Sequence, residues 1–220
     1  MNISFVICTG GDEDERIDRI IDSIEANNIP TYEIIIVGGP LSTVDRLNTF
    51  HIPFNEGVRR SWITRKKNIA TERCKYDVVV YLHDYHVFDS DWYAGLLERG
   101  DDWDIQMNRI LTHEGKRMLD WVIFDHPEYP RYAFIPYDRH DLVGHQYISG
   151  GYWVAKRSVM LAEPLDENRV SHQMEDVEWS LRVRNRYRIT MNPAATVRHV
   201  KVHRDAHLSE ERARAFGVSL

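Results

Sequence analysis

Residues 77–86 read DVVVYLHDYH, and the fold turns on how this stretch is read. Val78, Val79, Val80, Tyr81 and Leu82 form a near-continuous apolar run, the pattern of a strand buried on both faces. The run ends at His83, Asp84 and His86, groups that are costly to bury without a partner. In open α/β sheets ligands bind just beyond the carboxyl ends of the strands. The stretch therefore predicts a central strand whose end is the floor of a site. A solvated Asp and two surface imidazoles are the plain alternative.

The flanking sequence supports a sheet of this kind. Residues 3–8 (ISFVIC) predict a first strand, followed by the turn signal Thr9-Gly10-Gly11. Ile17, Ile20, Ile21 and Ile24 recur at the spacing of an amphipathic helix, which stops at Asn27 to Pro30. Residues 33–37 (EIIIV) predict a second buried strand closed by Gly38-Gly39-Pro40. Strand, helix and strand in this order make a βαβ unit with a right-handed crossover. Residues 41–61 read as irregular, and 62–74 as a helix carrying Arg65, Lys66, Lys67 and Asn68. A solvated face is the default for its basic side chains.

Beyond the central strand, a short helix is expected from Asp91 and a strand over 104–110. Residues 112–145 combine weak periodicity with Trp121, Phe124, Tyr129, Tyr132, Phe134 and Tyr137, which predicts a long binding loop whose aromatic faces suit sugar stacking. Residues 146–154 predict a strand broken at Gly150-Gly151, where backbone can approach a ligand. Residues 174–185 predict a helix with acids in its first turn and Val177, Leu181 and Val183 toward the core. Two strands are expected after it, over 187–191 and 196–203, separated by an Asn192-Pro193 turn.

The chain has 220 residues, 43% hydrophobic and 28% charged, with a formal net charge of -6. That is an ordinary soluble composition, and its acidity argues against a general nucleic-acid binder. Two cysteines, Cys8 and Cys74, are expected as core filler. The sequence shows neither a secretory leader pattern nor an apolar run long enough for a membrane span, so a cytoplasmic protein with no integral membrane segment is expected. No repeat or linker stands out, which predicts one domain over 1–220.

Candidate chemistry falls in three places. Asp84 and His86 lie two apart, so on an extended segment both point to one side and could approach one divalent cation. Glu175 and Asp176 open a helix. They could supply a general base, though carboxylates also favour helix N-termini for stability alone. His199, His203 and His207 have a zinc-like spacing only if helical, whereas the alternation around them favours a strand and a single metal ligand.

Taken in order, these parts resemble an inverting family 2 glycosyltransferase of the GT-A fold, from residue 1 to about 205. ISFVICTGG (3–11) resembles the first strand and nucleotide loop, and ITRKKNIA (63–70) the basic-Asn helix. YLHDYHVFDSDWY (81–93) resembles the metal-binding segment, with Asp84-Tyr85-His86 where the family usually has Asp-x-Asp. SGGYWVAKRS (149–158) resembles the acceptor-side strand, EDVEWSLR (175–182) the segment carrying the base, and NPAATVRH (192–199) the strand ending in a late metal-binding His.

The resemblance implies a mixed, mostly parallel sheet flanked by helices, with a nucleotide-sugar-binding half (1–100), an acceptor-binding half (101–205) and a peripheral tail (206–220). It implies a nucleotide-sugar donor, a glycan-type acceptor and a divalent cation, Mn2+ or Mg2+. Asp176 would be the general base, with Glu175 as runner-up. Donor contacts would come from Thr9, Gly10, Gly38, Arg65, Lys67, Asn68, His83, Asp84, Gly150 and Gly151, and metal ligation from Asp84, His86 and His199.

Two departures stand out. Val37-Gly38-Gly39-Pro40 occupies the place where the family usually carries base- or ribose-binding Asp residues, and His86 replaces the second metal-motif Asp. They leave open a non-catalytic carbohydrate-binding module on the same fold. A nucleotidyltransferase is disfavoured by the acids that follow Gly10-Gly11.

Overall fold

The computed structural model describes residues 1–11, 14–41 and 45–201. The side chains of 130–132 are outside that description, as are His203, His207 and the whole of the expected tail.

The chain begins with β1 (Ile3–Cys8), α1 (Asp14–Glu25) and β2 (Tyr32–Gly38). The four isoleucines of α1 are buried against the sheet, as their spacing predicts. An unforeseen strand, β3 (Thr49–Pro53), then pairs in parallel with β2. It lies at the sheet edge with no fully buried residue, so no apolar pattern marked it. Next come α2 (Ile63–Arg73) and the central strand β4 (Val78–His83), buried through Leu82 and parallel to β1.

β5 (His86–Phe88) follows β4 directly, and then α3 (Trp92–Glu98) and β6 (Ile105–Thr112). The expected long loop over 112–145 is instead largely ordered. β7 (Val122–His126) and β8 (Tyr129–Phe134) form an antiparallel pair, and a 3-10 turn (His140–His145) leads into β9 (Gln146–Tyr147). These strands make a small second sheet in the order β8-β7-β9.

β10 (Tyr152–Lys156) follows the glycine pair, so Gly150-Gly151 joins two sheets rather than kinking one strand. α4 (Arg157–Ala162) and α5 (Glu175–Val183) come next. The end of the chain carries one strand, β11 (Ile189–His199), where two were expected. Its ladder shifts register between Asn192 and Thr196, and a bulge there absorbs Pro193 without ending the strand.

The main sheet runs β3-β2-β1-β4-β10-β6-β11-β5. β3, β2, β1 and β4 are mutually parallel; β10 is antiparallel to both β4 and β6, β6 is parallel to β11, and β5 is antiparallel to β11. A core lies on each face. α1 and α3 cover one, where Phe5, Phe88 and Trp92 meet edge-on or tilted. On the other, Trp153 stacks on Tyr81 at 4.8 Å between ring centres and meets Trp179 of α5 at 5.4 Å. Trp179, not Leu181, fills the core from α5, and Leu181 is 46% exposed. α3 approaches β11 so closely that a Cβ on Gly95 would sit 2.4 Å from the Ala194 carbonyl oxygen.

Candidate active site

The carboxyl ends of β1, β2 and β4 converge, as the sequence predicts. Two cavities of about 460 Å3 each open there. They meet at His83, Tyr85, Ser171 and His172, which line both. The first is walled by the end of β1 (Cys8, Thr9, Gly10), by Arg60 and Lys66, and by Lys201 after β11. The second lies between β4 and the small sheet and includes Gly150, Gly151, Glu175, Asp176, His86 and His199.

Thr9 organises the first loop. Its backbone N–H bonds the Val37 carbonyl at 3.1 Å, and its hydroxyl donates to Asp84 Oδ2 at 2.8 Å while accepting the Gly11 N–H at 3.2 Å. Asp84 is thereby tied to the loop and lines neither cavity wall. Gly38 is likewise a packing residue: a Cβ there would lie 2.4 Å from the Thr9 carbonyl oxygen.

The basic helix is the largest surprise. Lys66 and Lys67 are 3% and 1% exposed, not solvated. Lys66 Nζ donates to the Thr9 carbonyl at 2.7 Å and pairs with Glu56. Lys67 Nζ donates to the Gly150 carbonyl at 2.6 Å and lies 4.3 Å from the centre of the Trp153 ring. Burial pulls the Lys67 ammonium below its ordinary range, against the support of the nearby Cys8, Glu175 and Asp176. Lys67 thus braces the glycine loop from behind rather than reaching a donor. Arg65 and Asn68 also line neither cavity. Arg65 bonds the Glu167 carboxylate at 3.0 and 3.2 Å, and Asn68 exchanges bonds with the Leu165 backbone at 2.9 and 3.0 Å.

The braced loop holds Asp176. Its Oδ2 accepts the Gly150 N–H at 3.0 Å and the Tyr147 hydroxyl at 2.6 Å, and its Oδ1 accepts the Val177 N–H at 2.9 Å. An ionised carboxylate offers about four lone-pair sites, so about one remains for a ligand. Gly150 permits this arrangement, because a Cβ would lie 2.9 Å from Oδ2. Glu175 is 7% exposed, and burial pushes its carboxyl above the usual range. Just before α5, His172 and Met174 have left-handed backbone (φ 69° and 57°), strain of the kind that gathers at functional sites. Tyr147 and His172 escaped the sequence reading. The position of Tyr147 just ahead of Ser149-Gly150-Gly151 was the available signal.

The imidazoles cluster around Tyr85. His83 Nδ1 is 2.6 Å from the Tyr85 hydroxyl, and the His86 and His199 ring centres are 5.2 Å apart. His83 Nε2 and His86 Nδ1 are buried with no hydrogen-bond partner among the described residues. Burial drives the pKa values of both rings well below the ordinary histidine range. Asp84 does not join the two metal-candidate imidazoles. Among the described residues no three His, Cys, Asp or Glu side chains are gathered to hold a metal. No helix among them is long and apolar enough to cross a membrane.

No family model and no curated protein sequence matches the chain. Solved structures do. The chain superposes on S. aureus TarS 1-349 in complex with UDP-GlcNAc with a TM-score of 0.66 at 12% identity, covering 92% of this chain and 59% of that one. For GalNAc-T7 with UDP, GalNAc and Mn2+, the TM-score is 0.66 at 14% identity, covering 92% and 44%. The chain therefore spans less than two thirds of either neighbour. What is shared at such low identity is architecture, and the protein has the mixed α/β fold of GT-A glycosyltransferases.

Proposed function

We propose that the protein is an inverting glycosyltransferase, moving a sugar from a nucleotide-sugar to a hydroxyl of a glycan or other acceptor. The observation that carries this is Asp176: three fixed donors hold its carboxylate in the wall of one cavity, beside the junction with a second that suits a nucleotide diphosphate. The donor would lie in the cavity of Thr9, Gly10 and Lys66. The neighbours' complexes with UDP-GlcNAc and with UDP and GalNAc make UDP-sugars the first donors to try. Asp176 takes the acceptor proton as the acceptor oxygen bonds to the anomeric carbon. The carbon–phosphate-oxygen bond breaks with its electron pair leaving on the diphosphate, and displacement from the opposite face inverts the centre. Glu175 is the runner-up base.

A divalent cation bound with the diphosphate would neutralise the charge on the leaving group. His86 Nδ1, with no hydrogen-bond partner among the described residues, fits a site of this kind, with either His199 or Asp84 as a second candidate ligand. Cations that arrive on phosphates keep several waters and need only one or two protein ligands, so a gathered set of three is not required.

Asp176→Asn keeps the shape and removes the base. Transfer should fall by about 100- to 10,000-fold while donor affinity changes little. Near-normal turnover would retire Asp176 as the base.

A further inference from the structure

The two cavities differ in charge. The first carries Arg60, Lys66 and Lys201, with Glu56 the only carboxylate among its described lining residues. The second has no Lys or Arg among its described lining residues, and its full charges are the carboxylates of Glu175 and Asp176.

The rest of that wall is aliphatic as much as aromatic. Met118, Leu119, Phe124, Phe134 and Val177 line it together with Asp176, supplied by the turn before β7, the small sheet and α5. Of the aromatics in 112–145, Trp121 is fully buried, and Tyr137 donates its hydroxyl to Asp120 at 2.7 Å. Leu119 is held in left-handed backbone at φ 49°, unusual for a residue of its size.

Resting on the transferase reading, we infer that the second cavity is an acceptor subsite for a neutral alcohol on an apolar body, and that it rejects acceptors bearing phosphate or carboxylate near the reacting hydroxyl. An anion there would lose its hydration and face two carboxylates with no Lys or Arg among the described lining residues. An alkyl or aryl body would instead remove the Met118, Leu119, Phe124 and Val177 surfaces from water. The volume of about 460 Å3 is that of a small-molecule site. The apolar wall and the proton acceptor share one cavity, so a hydroxyl can meet Asp176 while its carrier fills the remainder.

The test is equilibrium binding and UDP-sugar turnover with octyl β-glucoside below its micelle concentration, free glucose and glucose 6-phosphate. Octyl β-glucoside should bind at least 10-fold more tightly than free glucose, and glucose 6-phosphate more weakly than either. Phe124→Ala should weaken octyl β-glucoside about 10-fold, through lost apolar contact. Met174→Lys should improve glucose 6-phosphate several-fold, because Met174 is at the cavity rim, 51% exposed, and its left-handed backbone suits Lys no worse.

Glucose 6-phosphate binding as well as octyl β-glucoside, no acceptor binding at all, or octyl β-glucoside affinity unmoved by Phe124→Ala would overturn the inference. Nucleotide-sugar binding in the same samples would leave the transferase reading standing. Octyl β-glucoside bound with no nucleotide-sugar affinity would support the apolar subsite and sink the transferase reading instead.

Discussion

Gly150→Ala probes the base with a single methyl group. The added Cβ would lie 2.9 Å from Asp176 Oδ2, 3.0 Å from its Cβ and 3.2 Å from its Cγ, whereas ordinary contact begins near 3.4 Å. Asp176 cannot easily swing aside, because Tyr147, Gly150 and Val177 all hold its carboxylate. A retreat of about 0.5 Å would stretch the 3.0 Å bond from the Gly150 N–H to the limit of a hydrogen bond. A hydrogen bond to a charged group is worth about 1.5–3 kcal/mol, which corresponds to roughly 10- to 100-fold in rate. Turnover of Gly150→Ala at saturating donor should fall by that factor, with nucleotide-sugar affinity by calorimetry within about twofold of wild type. Gly144→Ala is the control, since its Cβ would rest 3.6 Å from the Asn185 side chain, an ordinary contact. Unchanged turnover in Gly150→Ala would refute the claim that Asp176 must sit where it does.

Other expectations concern stability. Glu175 has a raised pKa in the folded chain, so its contribution is fully present below the unfolded value near 4.5 and is lost as pH rises through the folded pKa. Glu175→Gln should therefore unfold at a higher temperature than wild type at pH 7–8, with the gap closing below pH 4.5; a gap that widens in acid would contradict this sign. Trp153→Ala removes a side chain packed between Tyr81, Trp179 and Lys67 and should cost about 3–5 kcal/mol in urea denaturation. Gly95→Ala forces a Cβ against the Ala194 carbonyl, backbone that cannot give way cheaply. It should cost about 1–3 kcal/mol, and a neutral result would mean that α3 is free to shift.

The parts of the fold legible in the sequence are those whose burial leaves a periodic mark. β1, α1, β2 and β4 bury long apolar runs or one helix face, and their order predicted the parallel half of the sheet. β3 left no mark because a half-buried edge strand need not be apolar throughout, and β5 is too short for a pattern to show. Pro193 read as a turn because proline removes a ladder donor, and only tertiary pairing reveals the bulge that accommodates it.

The site was partly legible for the same reason. Gly150, Gly151, Glu175 and Asp176 do converge in one cavity, because glycines and helix-leading acids carry local meaning. Lys67 reads as solvated in the sequence because a lysine is almost never fully buried, whereas the Gly150 carbonyl, the Trp153 face and the nearby Glu175 and Asp176 make its buried position tolerable. Tyr147 gave little warning, since its role depends on a strand pairing remote in sequence.

The most direct test of the account is thermal unfolding of the wild-type protein with UDP-, GDP- and dTDP-sugars, each with manganese or with a chelator. A ligand present at about 100 times its Kd adds about 2.7 kcal/mol, or roughly 5–10 °C in Tm for a chain of this size. The account predicts a shift of that order with one nucleotide class, shrinking on chelation if the diphosphate brings its cation. No shift with any nucleotide-sugar would contradict it and favour a carbohydrate-binding module that keeps the fold without the donor.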